Sequence, residues 1–129
     1  MPRVSAAFFL VATLCIVFGM LWGMHMGMRQ DFTLAPAHAH LNLVGWVTMA
    51  LYGTFYALTR ESMSARLAWT NFIVSTVGIV VMIPSLALML ATSDLAKYSA
   101  PVAVGSVIVF LGLLIFLVSV VRELFRKRA

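Results

Sequence analysis

The chain has 129 residues, of which 63% are hydrophobic and only 10% are charged. A soluble domain is about 45–50% apolar and about 25% charged, so this composition excludes an ordinary soluble domain and predicts an integral membrane protein. The length fits one domain. The net charge of +5 comes mostly from short loops and one chain end, which argues against a nucleic-acid-binding surface.

Four segments are long and apolar enough to cross a bilayer, which takes about 20 helical residues. They run from about Val4 to Met28, Ala37 to Leu58, Leu67 to Ala91 and Ala100 to Val121. Pro36 and Pro101 lie at or near the first turns of their helices, where a missing N–H is harmless, and Pro84 predicts a kink within the third. The sequence therefore predicts an all-α transmembrane four-helix bundle, a single domain spanning residues 1–129.

The end of the first segment is rich in methionine and contains His25. Met20, Met24 and Met28 repeat every four residues, as in a packing stripe, and methionine readily fills apolar gaps. Thioether sulfur is also a soft ligand that suits Cu(I). An alternative hypothesis is therefore a copper-handling protein that uses Met24, His25, Met26 and Met28.

The three histidines of the chain lie where the first segment ends and the second begins, at His25, His38 and His40. Helices joined by a short loop are usually antiparallel neighbours, so we expect the three imidazoles at one depth near the outer surface. Histidine is costly in hydrocarbon, and three at one depth favour a ligand role for at least one over three interfacial residues. His38 and His40 point roughly 200° apart on a helix, so paired axial ligands must come from different helices.

Several other residues near these histidines are candidates for lining a site. Gly45 either allows close helix approach or leaves room for a flat macrocycle. Trp46 lies deeper than an interfacial aromatic belt requires. Arg29 and Lys97 are the only cations on the histidine side, so they are the available partners for haem propionates.

The residues of note in the third and fourth segments predict helix packing and do not suggest a catalytic or ligand-binding site. Their glycines, like Gly53 in the second segment, predict close helix contacts at Gly78, Gly105 and Gly112. A polar patch predicts interhelical hydrogen bonds and comprises Thr70, Asn71, Ser75 and Thr76. All four acidic residues lie in loops or at segment ends, which disfavours a proton-coupled transporter, since such proteins usually need an intramembrane carboxylate.

The basic residues predict the orientation of the bundle. With four crossings both termini lie on one side, which carries Arg3, Arg60, Arg66, Arg122, Arg126, Lys127 and Arg128. The other side carries only Arg29 and Lys97. We therefore expect cytoplasmic termini in a bacterial inner membrane, with the histidines near the outer face.

The second segment resembles helix II of subunit I of the haem-copper oxidases. The run His38-Ala-His40-Leu-Asn42, followed by Gly53, is similar to the stretch that carries an axial ligand of the low-spin haem in that family. The resemblance implies haem b bound by His38, with the opposite ligand from His25, His40 or another subunit. The later helices of the family, which carry the copper ligands and the high-spin haem ligand, have no counterpart here, so the resemblance does not extend to oxygen reduction.

The sequence thus favours a haem b-binding membrane protein in electron transfer or in haem or redox sensing, with His38 and His25 as iron ligands and His40, Gly45, Trp46 and Arg29 nearby. No complete catalytic site is present in the chain, which leaves enzymatic activity undecided. The glycine-studded surface favours a homo-oligomer, and a redox partner would be required for electron transfer. A cofactor-free accessory subunit is the remaining alternative.

Overall fold

The computed structural model describes residues 1–126, and this part of the chain forms an all-α bundle of four helices. Each helix is long and apolar enough to span a membrane, which confirms the predicted fold class. The helices are α1 (Arg3–Arg29), α2 (Ala35–Leu58), α3 (Ala65–Thr92) and α4 (Leu95–Leu124). Lys127 and Arg128, which contribute to the charge asymmetry, lie outside the described residues.

The two ends of the bundle differ in the residues they bring together. Gly53 packs against the start of α1 at Ser5, and Tyr56 hydrogen-bonds Ser119 near the end of α4. We call this end, where α1 begins and α4 finishes, the terminal end. The opposite end, which carries His25, His38 and His40, is the histidine end.

The helix boundaries agree with the sequence prediction except at the start of α4. Pro36 lies in the first turn of α2, as expected. The prediction that Pro101 lies near the start of its helix is wrong, because α4 begins at Leu95 and Pro101 lies inside it. The earlier start is explained by Asp94, whose Oδ1 accepts a hydrogen bond of 3.0 Å from the backbone N–H of Lys97 and so caps the helix. Pro84 also lies inside a continuous helix, α3.

The middle of α2 is a π-helix, from Leu41 to Thr48. Five of the seven buried residues of α2 recur at every fourth position, at Ala37, Leu41, Gly45, Met49 and Gly53, and the other two are Tyr52 and Tyr56. In an ideal α-helix each four-residue step overshoots a full turn by about 40°, so this repeat would drift off its face. The wider π turns wind more slowly and keep these residues on one side of α2.

Glycines bring α3 and α4 into backbone contact, as the sequence predicts. A Cβ atom on Gly105 would lie 2.5 Å from the backbone nitrogen of Met82, and one on Gly78 would lie 2.7 Å from that of Val109. A Cβ on Gly112 would collide with the Ser75 hydroxyl. Neither helix could keep this separation with a side chain at those positions.

A buried polar network ties α2, α3 and α4 together near the terminal end. Asn71 Nδ2 donates to the Tyr56 hydroxyl at 3.1 Å, and that hydroxyl lies 2.9 Å from Ser119 Oγ. Ser75 donates to Asn71 Oδ1 within α3. Of the predicted patch, Asn71 thus makes the interhelical bond, whereas Thr70 bonds its own helix and the buried Thr76 hydroxyl has no partner within residues 1–126.

Candidate functional site

The imidazole of His38 lies in the seam between α2 and α1. It faces Gly23, where a Cβ atom would approach His38 Cε1 to 3.0 Å and Nε2 to 3.4 Å. The ring is edge-on to the indole of Trp22, with centroids 6.3 Å apart. His38 is therefore held against the α1 backbone, at the depth of the last turns of that helix.

Two polar atoms in this seam are buried without a partner. His38 Nε2 lies 3.2 Å from Asn42 Nδ2, whereas His38 Nδ1 and Asn42 Oδ1 make no hydrogen bond within residues 1–126. Asn42 Oδ1 occupies the place where a Cβ of Gly19 would be. Gly19 and Gly23, one helical turn apart, therefore form a cradle in α1 for the two polar side chains of α2. Buried polar groups without a partner are rare in native structures, and these two atoms lie together where α2 packs on the glycines of α1.

His25 faces a different space, an apolar groove between α1 and α3. The groove has a volume of about 660 Å³ and is lined by Phe18, Leu21, Trp22, His25, Ile83, Pro84, Ala87 and Leu88. This volume lies within the range of about 300–1,000 Å³ that is typical of sites for small molecules and cofactors. Neither ring nitrogen of His25 makes a hydrogen bond within residues 1–126. The hydrogen bonds of histidine rings in this part of the chain are those of His38 and His40.

A second cavity, of about 340 Å³, adjoins His25 on the loop side and is lined by Trp22, His25, Met26, Arg29, Asp31 and Leu34. The ion pairs within residues 1–126 are Arg60–Glu61 and Arg126–Glu123, so the Arg29 guanidinium is in neither. The Asp31 carboxylate accepts hydrogen bonds from the hydroxyl and the backbone N–H of Thr33, which lower the Asp31 pKa below 3.8. The loop side of this cavity thus has one cation that is in neither of those ion pairs, Arg29, and one carboxylate, Asp31, that is already hydrogen-bonded to Thr33.

The other residues predicted for this site lie elsewhere. His40 is exposed, and its Nδ1–H donates to the Pro36 carbonyl at 2.7 Å. The space beside Gly45 is filled by Cys15, whose Sγ lies 2.8 Å from where a glycine Cβ would stand. Trp46 is half-buried and packs against the apolar core. Gly45 therefore serves helix packing.

The methionines near His25 do not all lie on one side of α1. Met24 and Met28 are exposed, whereas Met26 is buried. At about 100° per residue Met24 and Met28 lie only about 40° apart, but Met26 points to another side of the helix, so the three sulfurs and the His25 ring do not all face one point. Among residues 1–126 there is also no cluster of three or more His, Cys, Asp or Glu side chains that could hold a metal ion.

The structure thus brings His25 together with Trp22 and Arg29 and leaves His38 in a separate seam. An axial ligand of haem needs macrocycle-sized space at the ligating nitrogen. Beside His38 the backbone of α1 at Gly23 fills that space, whereas beside His25 it is open. The cavities that His25 borders do not include His38, so the two imidazoles face different spaces.

Sequence reasoning missed the part of the groove that α3 supplies, above all Pro84 and Leu88. It also missed Trp22, which lines both cavities and contacts His38. A bulky aromatic residue three positions before His25, on the same helical face, was the available signal.

Comparison of the chain with known proteins found no match among family models, curated proteins or solved structures. The similarity of α2 to the haem-copper oxidases therefore rests on its quoted residues alone.

Proposed function

We propose that this protein binds haem b at the histidine end of the bundle, with His25 as an axial ligand and the α1–α3 groove receiving the apolar part of the macrocycle. The observation that carries the proposal is the free imidazole of His25 on the wall of a 660 Å³ apolar groove. Bound haem supplies one-electron exchange between ferric and ferrous iron. Electron transfer and haem or redox sensing are the functions that follow.

The residues of this chain have distinct proposed roles. His25 offers a nitrogen lone pair to the iron, and Trp22, Pro84 and Leu88 keep water away from it. Arg29 lies one helical turn beyond His25, where its guanidinium would pair with propionate carboxylates, an interaction that suits the planar geometry of arginine. His38 and Asn42 act indirectly by holding α2 against α1 behind Trp22.

One histidine of each chain borders the groove, so a second protein ligand would have to come from another copy of the chain. The glycines lie mostly in contacts between helices of one chain, so the support for such a homo-oligomer is the large apolar surface of the bundle. For the membrane setting we propose a bacterial inner membrane with both termini cytoplasmic, as the distribution of basic residues predicts. The haem would then lie near the outer face.

The absorption spectrum of the purified protein, expressed with sufficient haem, tests the proposal. A Soret band and a reduced α band, together with iron in the preparation, are expected. A colourless protein that contains copper would instead support the copper-handling alternative. A colourless, metal-free protein would support the accessory-subunit alternative.

A further inference from the structure

A cavity that is partly lined by charged and hydroxyl side chains lies at the terminal end, where α2, α3 and α4 meet. Its volume is about 120 Å³, well above the about 10–15 Å³ that one water molecule needs. The lining includes Ser62 and Ser64 from the α2–α3 loop and Ser119, Arg122 and Glu123 from α4. Because it lies at the ends of membrane-spanning helices, the cavity is at the depth of lipid headgroups.

The charges in this cavity favour an anion. The carboxylate of Glu123 is already satisfied, since Arg126 Nη2 lies 3.1 Å from Oε1 and Ser62 donates to Oε2 at 2.6 Å. Arg122 is in neither of the two ion pairs within residues 1–126. The Ser64 oxygen accepts a hydrogen bond from the backbone N–H of Leu67, so its own O–H can still donate. The Arg122 guanidinium and the Ser64 hydroxyl are thus available to donate hydrogen bonds to an anion in the cavity.

An apolar groove continues from this cavity towards the middle of the membrane. It has a volume of about 320 Å³ and is lined by Leu67, Val74, Leu111, Leu114, Ile115 and Val118. Leu67 borders both the cavity and the groove. From Val118 to Leu111 the groove follows α4 for about 10 Å, at about 1.5 Å per residue.

We infer that the cavity and groove together form a binding site for one anionic phospholipid. The phosphate of the headgroup lies in the cavity with Arg122 and Ser64, and an acyl chain lies in the groove between α3 and α4. A free phosphate ion would use the cavity but not the groove, and a zwitterionic lipid would gain less from the unpaired guanidinium. Basic pockets between membrane helices are known to select anionic headgroups.

Native mass spectrometry of the detergent-solubilised full chain, titrated with phosphatidylglycerol or phosphatidylcholine of the same acyl chains, tests this inference. Phosphatidylglycerol should bind several-fold more tightly. Arg122→Gln should weaken its binding about fivefold, since one cation at an anionic membrane surface contributes about that factor. The matched control is Arg66→Gln, which removes an exposed cation outside the cavity and should change binding less than twofold.

Two further experiments test whether an acyl chain occupies the groove and whether the bound phosphate belongs to a lipid. Leu114→Trp should weaken phosphatidylglycerol binding by filling the groove, whereas Leu113→Trp, on an exposed neighbour outside the groove, should not. Equal binding of the two lipids, or equal effects of Arg122→Gln and Arg66→Gln, would overturn the inference. Competition by glycerol 3-phosphate at the lipid's own concentration would also overturn it, in favour of a soluble phosphate site.

Discussion

The ring of His38 meets the indole of Trp22 edge-on, with 6.3 Å between centroids and 86° between planes. Trp22 also lines the groove that His25 borders. Trp22 thus contacts His38 and lines the same cavities as His25. His38 lies against the α1 backbone, and His25 lies beside open apolar space. On the proposed function, His38 helps to position α2 against α1, and His25 is the histidine available to a ligand.

The proposed ligand role predicts different spectra for the three histidine variants. His25→Ala should lose most of the Soret absorbance, because it removes the nitrogen that faces the groove. His40→Ala is the matched control and should keep it, since His40 is exposed and bonded to Pro36. His38→Ala should retain haem with an altered band position, as Trp22 loses its neighbour. Absorption and magnetic circular dichroism spectra of the purified variants give these results.

The opposite pattern of haem loss among the variants would indicate that the haem binds elsewhere than in the α1–α3 groove. If His38→Ala loses haem while His25→Ala keeps a six-coordinate low-spin signal, the iron lies in the α1–α2 seam and the ring of His38 must turn away from Gly23. Loss of haem in His40→Ala would indicate a ligand shared between copies.

The methionines of α1 give a second prediction. Replacement of Met24, Met26 and Met28 by Leu together preserves apolar volume and removes three sulfur atoms, and such swaps usually cost less than about 1.5 kcal/mol each. We expect unchanged haem content, because none of these methionines lines the α1–α3 groove and Met26 is buried. Haem and copper per chain are measured in the same preparation. Copper lost with haem unaffected would favour the copper-handling hypothesis.

Helix contact through glycine gives a third prediction. Gly105→Ala places a methyl group 2.5 Å from the Met82 nitrogen, so α3 and α4 must separate. We expect destabilisation of about 1–3 kcal/mol, as for other overpacked sites. Gly27→Ala is the control, since no atom lies within 4 Å of its added Cβ, and the higher helix propensity of Ala should leave stability equal or slightly raised. Denaturation in mixed micelles compares the two, and equal stability would contradict the close contact.

The helices could be predicted closely from the sequence, but their internal geometry could not. Long apolar runs define the four spans, whereas the start of α4 depends on the Asp94 cap, a local signal that the position of Pro101 obscured. The π-helix in α2 has a weak signal in the eight-residue spacing of Ala37, Gly45 and Gly53. Residues eight apart lie on the same face of a helix only if it has more residues per turn than an ideal α-helix.

The sequence predicts how deep in the membrane the histidines lie, but not which neighbouring helix each of them faces. The prediction that the three histidines lie at one end of the bundle agrees with the structure, and the helical repeat separates His38 from His40. Since α1 is apolar on nearly every side, its sequence contains no stripe to show which face meets α3 and which meets α2. The position of the groove depends on that packing, so the sequence alone could not show that His25 borders the groove and that His38 lies in the α1–α2 seam.

The loop beside the groove gives a prediction about pH. Hydrogen bonds from the Thr33 hydroxyl and N–H stabilise the ionised Asp31 and lower its pKa below 3.8. The stabilisation is present above the ordinary pKa and is lost as the pH falls through the lowered value. Thr33→Val keeps the N–H but removes the hydroxyl, so the Asp31 pKa should rise. Carbon-13 NMR titration of the side-chain carboxyl measures the change, and an unchanged pKa would show that the hydroxyl bond is not formed in solution.

The last prediction concerns orientation, on which the proposed location of the haem depends. Within residues 1–126, five of the seven basic residues lie on the side of the termini, and the positive-inside rule therefore predicts that this side is cytoplasmic. In a bacterial host, alkaline phosphatase fused after Ala129 should be inactive and a green fluorescent protein fused there should be bright. The same reporters inserted at Asp94, in the loop at the histidine end, should give the reverse pattern. A matched series with Arg60, Arg66 and Arg122 changed to Gln tests the cause, because it weakens the charge asymmetry without altering the apolar spans, and mixed orientation is expected. Active phosphatase at the carboxyl end of the unmodified chain would place His25 on the cytoplasmic side and would contradict a haem near the outer face.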